Sequence, residues 1–304
     1  MSYAGTVSPP CPACGCLEAR CFGELPARDG GIIPPYESWL FRCDRCSLLF
    51  RIPLGGATGD GDFYVWADSN LWANAEARPD FDIVRGCILS RLERGDVLDV
   101  GCYTGDFLRQ LPDSFRKFGI EPSTDAAQKA QMNGVKILGR TSEALKSQDA
   151  EFDVITLIDV IEHLARPIDV MDILIDRLRN GGVLIVSTGN ADSFIWRFLR
   201  TRYYYYYNEH LTFYSAAWFS WAAMRLGLTL EEVIRFARYQ QGIRSTTKEV
   251  AKFGLYAVVQ MISSVPGAHR VVRRLYPLNK VITWKTAPQL RTYPDHMVVV
   301  VRKE

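Results

Sequence analysis

The 304-residue chain has almost no excess of either charge, with 36 lysines and arginines against 34 aspartates and glutamates and a formal net charge of +2. That balance disfavours a dedicated nucleic-acid binder, which concentrates basic residues on one face. The chain also lacks any run of about 20 apolar residues, the length that spans a bilayer. Its opening, MSYAGTVSPP, lacks the basic start and apolar stretch of a secretory signal. The expectation is a cytoplasmic protein. There is no internal repeat, and the tyrosine run at 203–207 is the one low-complexity stretch. Hydrophobic residues make up 48%, enough for one large α/β domain with a sizeable core plus a small module.

Cysteine is sparse over most of the chain and crowded at one end, where six of eight lie within the first 46 residues. In a reducing compartment such crowding favours metal binding over disulfides. Cys11 and Cys14 in CPACG, with Cys43 and Cys46 in CDRC, make two C-x-x-C knuckles separated by 28 residues. Four thiolates close a tetrahedral Zn2+ site without an open position, which makes the metal structural. Cys16 and Cys21 are spare thiols beside that site, and Cys87 and Cys102 are isolated ones. A module with so little apolar content draws much of its stability from the ion. The glycines of PLGGATGDGD end it. The expected organisation is a zinc-ribbon-like module at 1–54, a linker or lid at 55–79 whose Tyr64 and Trp66 can close over a substrate, and a main domain at 80–304.

In the main domain, FDIVRGCILSRLERG reads as a helix feeding the strand DVLDVGC, and the turn after that strand is predicted to open another helix. FRKFGIEP, VKILG, FDVITLID and VLIVSTGN read as further strands, with helices at TDAAQKAQMNG and PIDVMDILIDRLRNGG. LTLEEVIRF and HMVVVVRK are two more strands, the last antiparallel at or near an edge. Strands alternating with helices define an α/β, Rossmann-like, doubly wound and mostly parallel sheet. A helical insertion at about 245–285 carries VAKFGLYAVVQMIS and the basic HRVVRRLYPLNK. The plain reading is a packed helix with a solvated basic face. The alternative is contact of 248–280 with an anionic membrane surface, peripheral to the inner face.

The turn LDVGCYTGDFL, 98–108, has Gly101 and Gly105 but lacks the third glycine with which G-x-G-x-x-G cradles a pyrophosphate. Glu121 ends the second strand of the domain, 22 residues after Asp99, where a carboxylate can accept both hydroxyls of a ribose. A phosphate-free adenosine cofactor fits this pair better than a dinucleotide.

VLDVGCYTG, GIEPS, EFDVITLIDVIEHLARP and LRNGGVLIVSTGN resemble, in order, the successive motifs of class I S-adenosylmethionine-dependent methyltransferases. The resemblance covers about 80–240 and resumes at DHMVVVVRK. It implies that Asp99, Gly101 and Gly105 surround the methionyl part of S-adenosylmethionine, that Glu121 holds the ribose, and that Thr141 or Ser142 lies near the adenine. It also sets Asp159 facing cofactor and substrate. Tyr103 stands where the family has a glycine and brings a bulky side chain beside the cofactor.

Zinc modules precede this domain in sugar C-methyltransferases acting on nucleotide-linked keto-deoxysugars, and a different one precedes certain ribosomal RNA methyltransferases. The sugar enzymes carry a Glu-His pair in a segment similar to NEHLTFYS, which implies His210 as general base with Glu209 as its neighbour. A base with pKa near working pH suits an acceptor that loses a proton as it attacks a sulfonium methyl. If the segment is extended, Glu209 points away from His210, and Tyr203, Tyr205 and Tyr207 share one face while Tyr204 and Tyr206 share the other. His163 reads as structural, and His269 and His296 as peripheral. The expected acceptor is a small hydroxylated or sugar-like molecule, a nucleotide sugar or glycan. The further C-terminal domain of the sugar C-methyltransferases has no counterpart here, which leaves oxygen at least as favoured as carbon. The competing readings are an RNA methyltransferase, disfavoured by charge, and a non-enzymatic zinc-dependent interaction protein on a degenerate fold, for which Tyr103 speaks.

Overall fold

Alternate residues of the apolar strand segments bury into opposite faces of one sheet. The computed structural model describes residues 8–25, 27, 36–53, 78–238, 243–263, 274, 278–281, 287–288, 290 and 292–304. Strands β1 (Ala19–Leu25), β2 (Ser38–Cys43) and β3 (Leu49–Pro53) come first, followed by helix α1 (Pro79–Leu89) and β4 (Gly95–Val100). Then come β5 (Phe115–Ile120), α2 (Thr124–Met132), β6 (Lys136–Gly139), β7 (Phe152–Ile158), α3 (Pro167–Asp176) and β8 (Leu178–Gly189). The remainder is α4 (Phe194–Leu199), β9 (Thr212–Phe213), α5 (Ala216–Leu226), β10 (Leu228–Phe236), α6 (Ile243–Ser263), α7 (Leu278–Val281) and β11 (His296–Lys303).

Seven strands form the main sheet in the order β10-β11-β8-β7-β4-β5-β6, with β11 antiparallel to both neighbours and the other pairings parallel. Leu98, Val100, Ile155, Leu157, Leu184, Val186, Met297 and Val299 join one core cluster, packed with Met171 and Leu174 of α3 and Trp218 and Phe219 of α5. Val97, Val154, Val183, Ile185, Val298 and Val300 join another, against Val84 and Ile88 of α1. A sheet buried on both faces reads in sequence as continuous apolar runs, which is why these strands are legible. The order in which strands are added reverses between β4 and β7, which run parallel, and an open α/β sheet binds ligands outside the carboxyl ends of its strands at such a switch point.

The structure departs from the sequence pattern in several places. Apolar spacing predicts a helix after β4, yet the chain makes a single 3-10 turn at Leu108–Gln110. Pro112 follows, and Leu111 before it is extended, with ψ 145°, as the residue preceding a proline must be. α3 stops at Asp176, so LRNGG belongs to β8 rather than to the helix. The Phe152 amide bonds to Arg177 O and Phe152 pairs with Leu178, which pulls that segment into the sheet. β11, by contrast, is antiparallel and next to the edge strand β10, as its sequence position suggests.

A second sheet has the order β1-β2-β3-β9. Through β3 the N-terminal strands join Thr212–Phe213 of the main domain, Leu49 pairing with Phe213 and Phe50 with Thr212. A third cluster fills the seam, formed by Leu40, Leu49, Trp196, Tyr203, Tyr205, Tyr206, Phe213, Tyr256 and Val259. α6 buries Tyr256 and Val259 there while Val250 and Met261 stay exposed. Among the described residues no helix is long and apolar enough to cross a membrane. Tyr64, Trp66, His269 and most of the basic HRVVRRLYPLNK lie outside the described residues.

Candidate functional site

At the carboxyl end of β4 the backbone turns through left-handed conformations at Gly101 (φ 75°), Tyr103 (φ 50°) and Gly105 (φ 79°). A methyl at Gly101 would lie 2.6 Å from Val160 Cγ2, and one at Gly105 would lie 2.8 Å from Val135 Cγ2. The glycines are thus demanded by the chain's own conformation and packing as well as by any ligand. Tyr103 adopts the same region at a cost, and its amide donates to Glu121 Oε2 at 2.8 Å. The Ser123 amide donates to Glu121 Oε1 at 2.8 Å. Two backbone donors thereby aim this carboxylate at the end of β5 and leave lone pairs for hydroxyl donors. Burial raises the Glu121 carboxyl above its ordinary value.

Asp99 is 3% exposed and accepts the Thr156 hydroxyl at 2.6 Å. Burial pushes its carboxyl up to about 7. Ser142 is buried where the chain leaves β6, and exposed Thr141 precedes it at the start of a 3-10 helix. Asp159 closes β7 in a left-handed conformation, φ 54°. Its carboxylate takes Arg78 Nη2 at 3.0 Å and Arg238 Nη1 at 2.8 Å. Burial opposes that charge, but the guanidiniums of Arg238 and Arg78 outweigh it and hold the carboxyl well below the usual range. Neither arginine stands out in the sequence, because each comes from a segment remote from the motifs.

The tyrosine run is not extended. It forms turns in which the Tyr207 amide donates to Tyr205 O and the His210 amide donates to Tyr207 O. The alternating-face pattern therefore does not apply, and Tyr203, Tyr205 and Tyr206 are all buried around Trp196. Arg51 of β3, 5% exposed, reaches across to donate to the carbonyls of Tyr206, Tyr207 and Asn208. Hydroxyl and indole donors serve buried acids and a phenol oxygen: Tyr205 donates to Glu162 Oε1 at 2.5 Å, Thr188 to Glu162 Oε2 at 2.9 Å, half-buried Tyr204 to Asp295, and Trp196 Nε1 to the Tyr206 hydroxyl.

His210 is 6% exposed, and its Nδ1 lies 2.9 Å from Tyr205 O. His163 Nδ1 lies 3.1 Å from Glu209 O, and the two imidazoles meet edge to face at 4.7 Å. A carbonyl only accepts, so each Nδ1 carries the proton and each neutral ring keeps its lone pair at Nε2. Burial, then the neighbouring His163, drives the His210 pKa well below the usual histidine value, and burial lowers that of His163. Glu209 meets the cluster through its backbone oxygen, and its carboxylate Oε2 has no partner among the described residues. His163 thus stands beside His210, although its position in the sequence suggests a structural residue more than a catalytic one. His296 is not peripheral: it is fully buried, its Nδ1 is 2.7 Å from Asp295 Oδ1, and Tyr205 packs on its ring. Glu162 directly precedes His163, but nothing in the sequence shows that the pair meets His210.

In the N-terminal sheet, Cys11 Sγ lies 3.6 Å from Cys46 Sγ and Cys14 Sγ lies 3.4 Å from Cys43 Sγ, with all four sulfurs within 4.8 Å of one another. All eight cysteines are free, and Cys16 and Cys21 stand outside this group. Four thiols so close ionise together only around a cation, so the donor set is compatible with zinc.

The left-handed turn, the oriented acid on the next strand and the switch point beside them define a class I nucleoside-cofactor fold. The match of a family model described as a methyltransferase domain to residues 72–233 takes the assignment further. The chain belongs to this family and carries an S-adenosylmethionine-dependent methyltransferase domain. A ubiquinone biosynthesis O-methyltransferase of Roseobacter denitrificans is 32% identical over 107 residues, covering 32% of this chain and 42% of that relative. An uncharacterized protein of Methanocaldococcus jannaschii is 29% identical over 104 residues, covering 34% of this chain and 49% of its own length. The chain thus spans less than half of these relatives. A solved S-adenosylmethionine-dependent methyltransferase of Archaeoglobus fulgidus is similar over 80% of this chain and 97% of its own, at 15% identity and TM-score 0.46.

Proposed function

We propose that this protein transfers the methyl group of S-adenosylmethionine to an oxygen of a small hydroxylated or sugar-like acceptor. The observation that carries the reading is Glu121, a buried carboxylate fixed by the amides of Tyr103 and Ser123 with lone pairs left for a ribose diol. Asp99 and the turn of Gly101, Tyr103 and Gly105 flank the methionyl end, Ser142 and Thr141 the adenine, and Asp159 with its two arginines the acceptor side. The acceptor oxygen attacks the sulfonium methyl carbon, the C–S bonding pair goes to sulfur, and the hydroxyl proton must leave as the ether forms. His210, neutral and with its lone pair at Nε2, is the candidate to take that proton, while Glu209 serves through its main chain. Relatives named O-methyltransferases support oxygen over carbon. The cysteines 11, 14, 43 and 46 hold a structural zinc in this reading.

The test is incubation of the purified protein with methyl-labelled S-adenosylmethionine and a cell extract fractionated into small molecules and RNA. Label entering the small-molecule fraction as a methyl ether, and falling at least tenfold with His210→Ala, is the expected result. Label confined to RNA would contradict the acceptor class.

A further inference from the structure

We propose that Glu162, His163 and His210 hold a divalent cation whose open coordination positions bind the acceptor's hydroxyl. The inference deepens the reading above and rests on it only for where the acceptor sits.

One carboxylate oxygen and two imidazole nitrogens from these residues lie within 4.8 Å of one another. They come from two segments far apart in sequence, the 3-10 turn Ile161–His163 after β7 and the loop ending at His210. Two hydrogen bonds clamp the segments together, Leu211 N to Glu162 O at 2.8 Å and His163 Nδ1 to Glu209 O. Each member is also held as a metal ligand is usually held. Both imidazoles donate their Nδ1 hydrogen to a backbone carbonyl, which fixes the tautomer and leaves Nε2 as the donor atom toward a cation. Glu162 is oriented by the hydroxyls of Tyr205 and Thr188, one on each oxygen, which leave further lone pairs on both. The three groups therefore bring acceptors rather than hydrogens to their meeting point, and a cation is what joins such groups.

The donor chemistry sets the ion. Two imidazoles and a carboxylate suit a divalent first-row metal such as Mn2+ or Fe2+, whereas the four cysteines select zinc. Three protein ligands leave positions open, the arrangement of a site that binds substrate, in contrast to the closed cysteine set. Asp159, three residues before Glu162, has its oxygens engaged by Arg78 and Arg238, so Glu162 is the carboxyl group left to join the two imidazoles. A hydroxyl bound to the cation loses its proton to water more readily. The resulting oxyanion then attacks the sulfonium methyl carbon, giving the ether and the neutral thioether. The inference thereby revises the role of His210 from proton acceptor to ligand, with the reaction unchanged.

The experiment uses the full chain with zinc retained and follows Mn2+ binding by the electron paramagnetic resonance of the free ion, with S-adenosylhomocysteine binding measured on the same samples. One Mn2+ per chain is expected, lost in His210→Ala and Glu162→Gln. Tyr205→Phe keeps the ring and removes only the hydroxyl that orients Glu162; it should weaken Mn2+ by roughly tenfold. Protein that binds S-adenosylhomocysteine but takes up no Mn2+ would overturn the proposal, as would equal Mn2+ affinity in wild type and His210→Ala. Mn2+ binding without S-adenosylhomocysteine binding would instead sink the methyltransferase reading and leave the cation site standing.

Discussion

Asp99 carries a pH signature that a single substitution can read. Burial raises its carboxyl from 3.8 to about 7, against the opposing pull of the Thr156 hydroxyl. An acid raised in this way stays protonated in the fold where the unfolded chain would ionise it. Its contribution to stability is complete below 3.8 and is lost as pH rises through about 7. Asp99→Asn keeps an acceptor for Thr156 and cannot ionise. Its stability, read by thermal unfolding, should gain on the wild type steadily between about pH 4 and about pH 7 and level off above, by a few kcal/mol at most at roughly 1.36 kcal/mol per unit. A constant offset across that interval would contradict the assignment. The glycines allow a paired comparison by thermal unfolding. Gly134 has φ 83° with nothing within 4 Å of an added methyl, so Gly134→Ala costs only the left-handed backbone, about 1 kcal/mol. Gly101→Ala adds a collision with Val160 and should cost at least about twice as much.

Among the elements, β3 has the widest reach. It pairs with β9, and its Arg51 closes three carbonyls of the loop that carries His210. Truncation to Arg51→Ala removes the buried guanidinium those carbonyls share, although Tyr207 O keeps the His210 amide and Asn208 O keeps the Tyr36 hydroxyl; the expected loss is on the order of 2 kcal/mol, readable in urea unfolding. The same link makes the cysteine module a support for the loop that carries His210. Stripping the proposed zinc with a chelator should raise amide exchange at 203–213 while leaving the protection of β4 and β7 intact; exchange changes confined to residues before 54 would show the link to be inert. Little of this element-level detail is legible in the sequence. β9 is two residues long and has no period to detect, and the tyrosine run obeys neither a helical nor a strand repeat because its side chains pack around Trp196 in a turn-rich loop. The helix predicted after β4 loses to Pro112, and the predicted end of α3 loses to the pairing of Phe152 with Leu178.

Across the whole molecule, the parallel sheet is what the sequence displays most plainly, since strands buried on both faces must be continuously apolar and the helices between them amphipathic. The cofactor side is legible for a related reason: left-handed turns need glycine, and an acid at a strand end sits at a fixed spacing. The proposed acceptor side is hidden because it is assembled from remote pieces. Arg51, Arg78, Arg238, Glu162 and His296 each look ordinary where they stand, and only folding brings them beside His210 or Asp159. The central claim is a cofactor site organised by Glu121, and calorimetric titration of the zinc-loaded protein with S-adenosylhomocysteine tests it most directly. One molecule bound per chain, with affinity reduced about 10- to 100-fold in Glu121→Ala, is the predicted result. Folded protein that binds no S-adenosylhomocysteine, or a Glu121→Ala variant that binds it as tightly as wild type, would contradict the account.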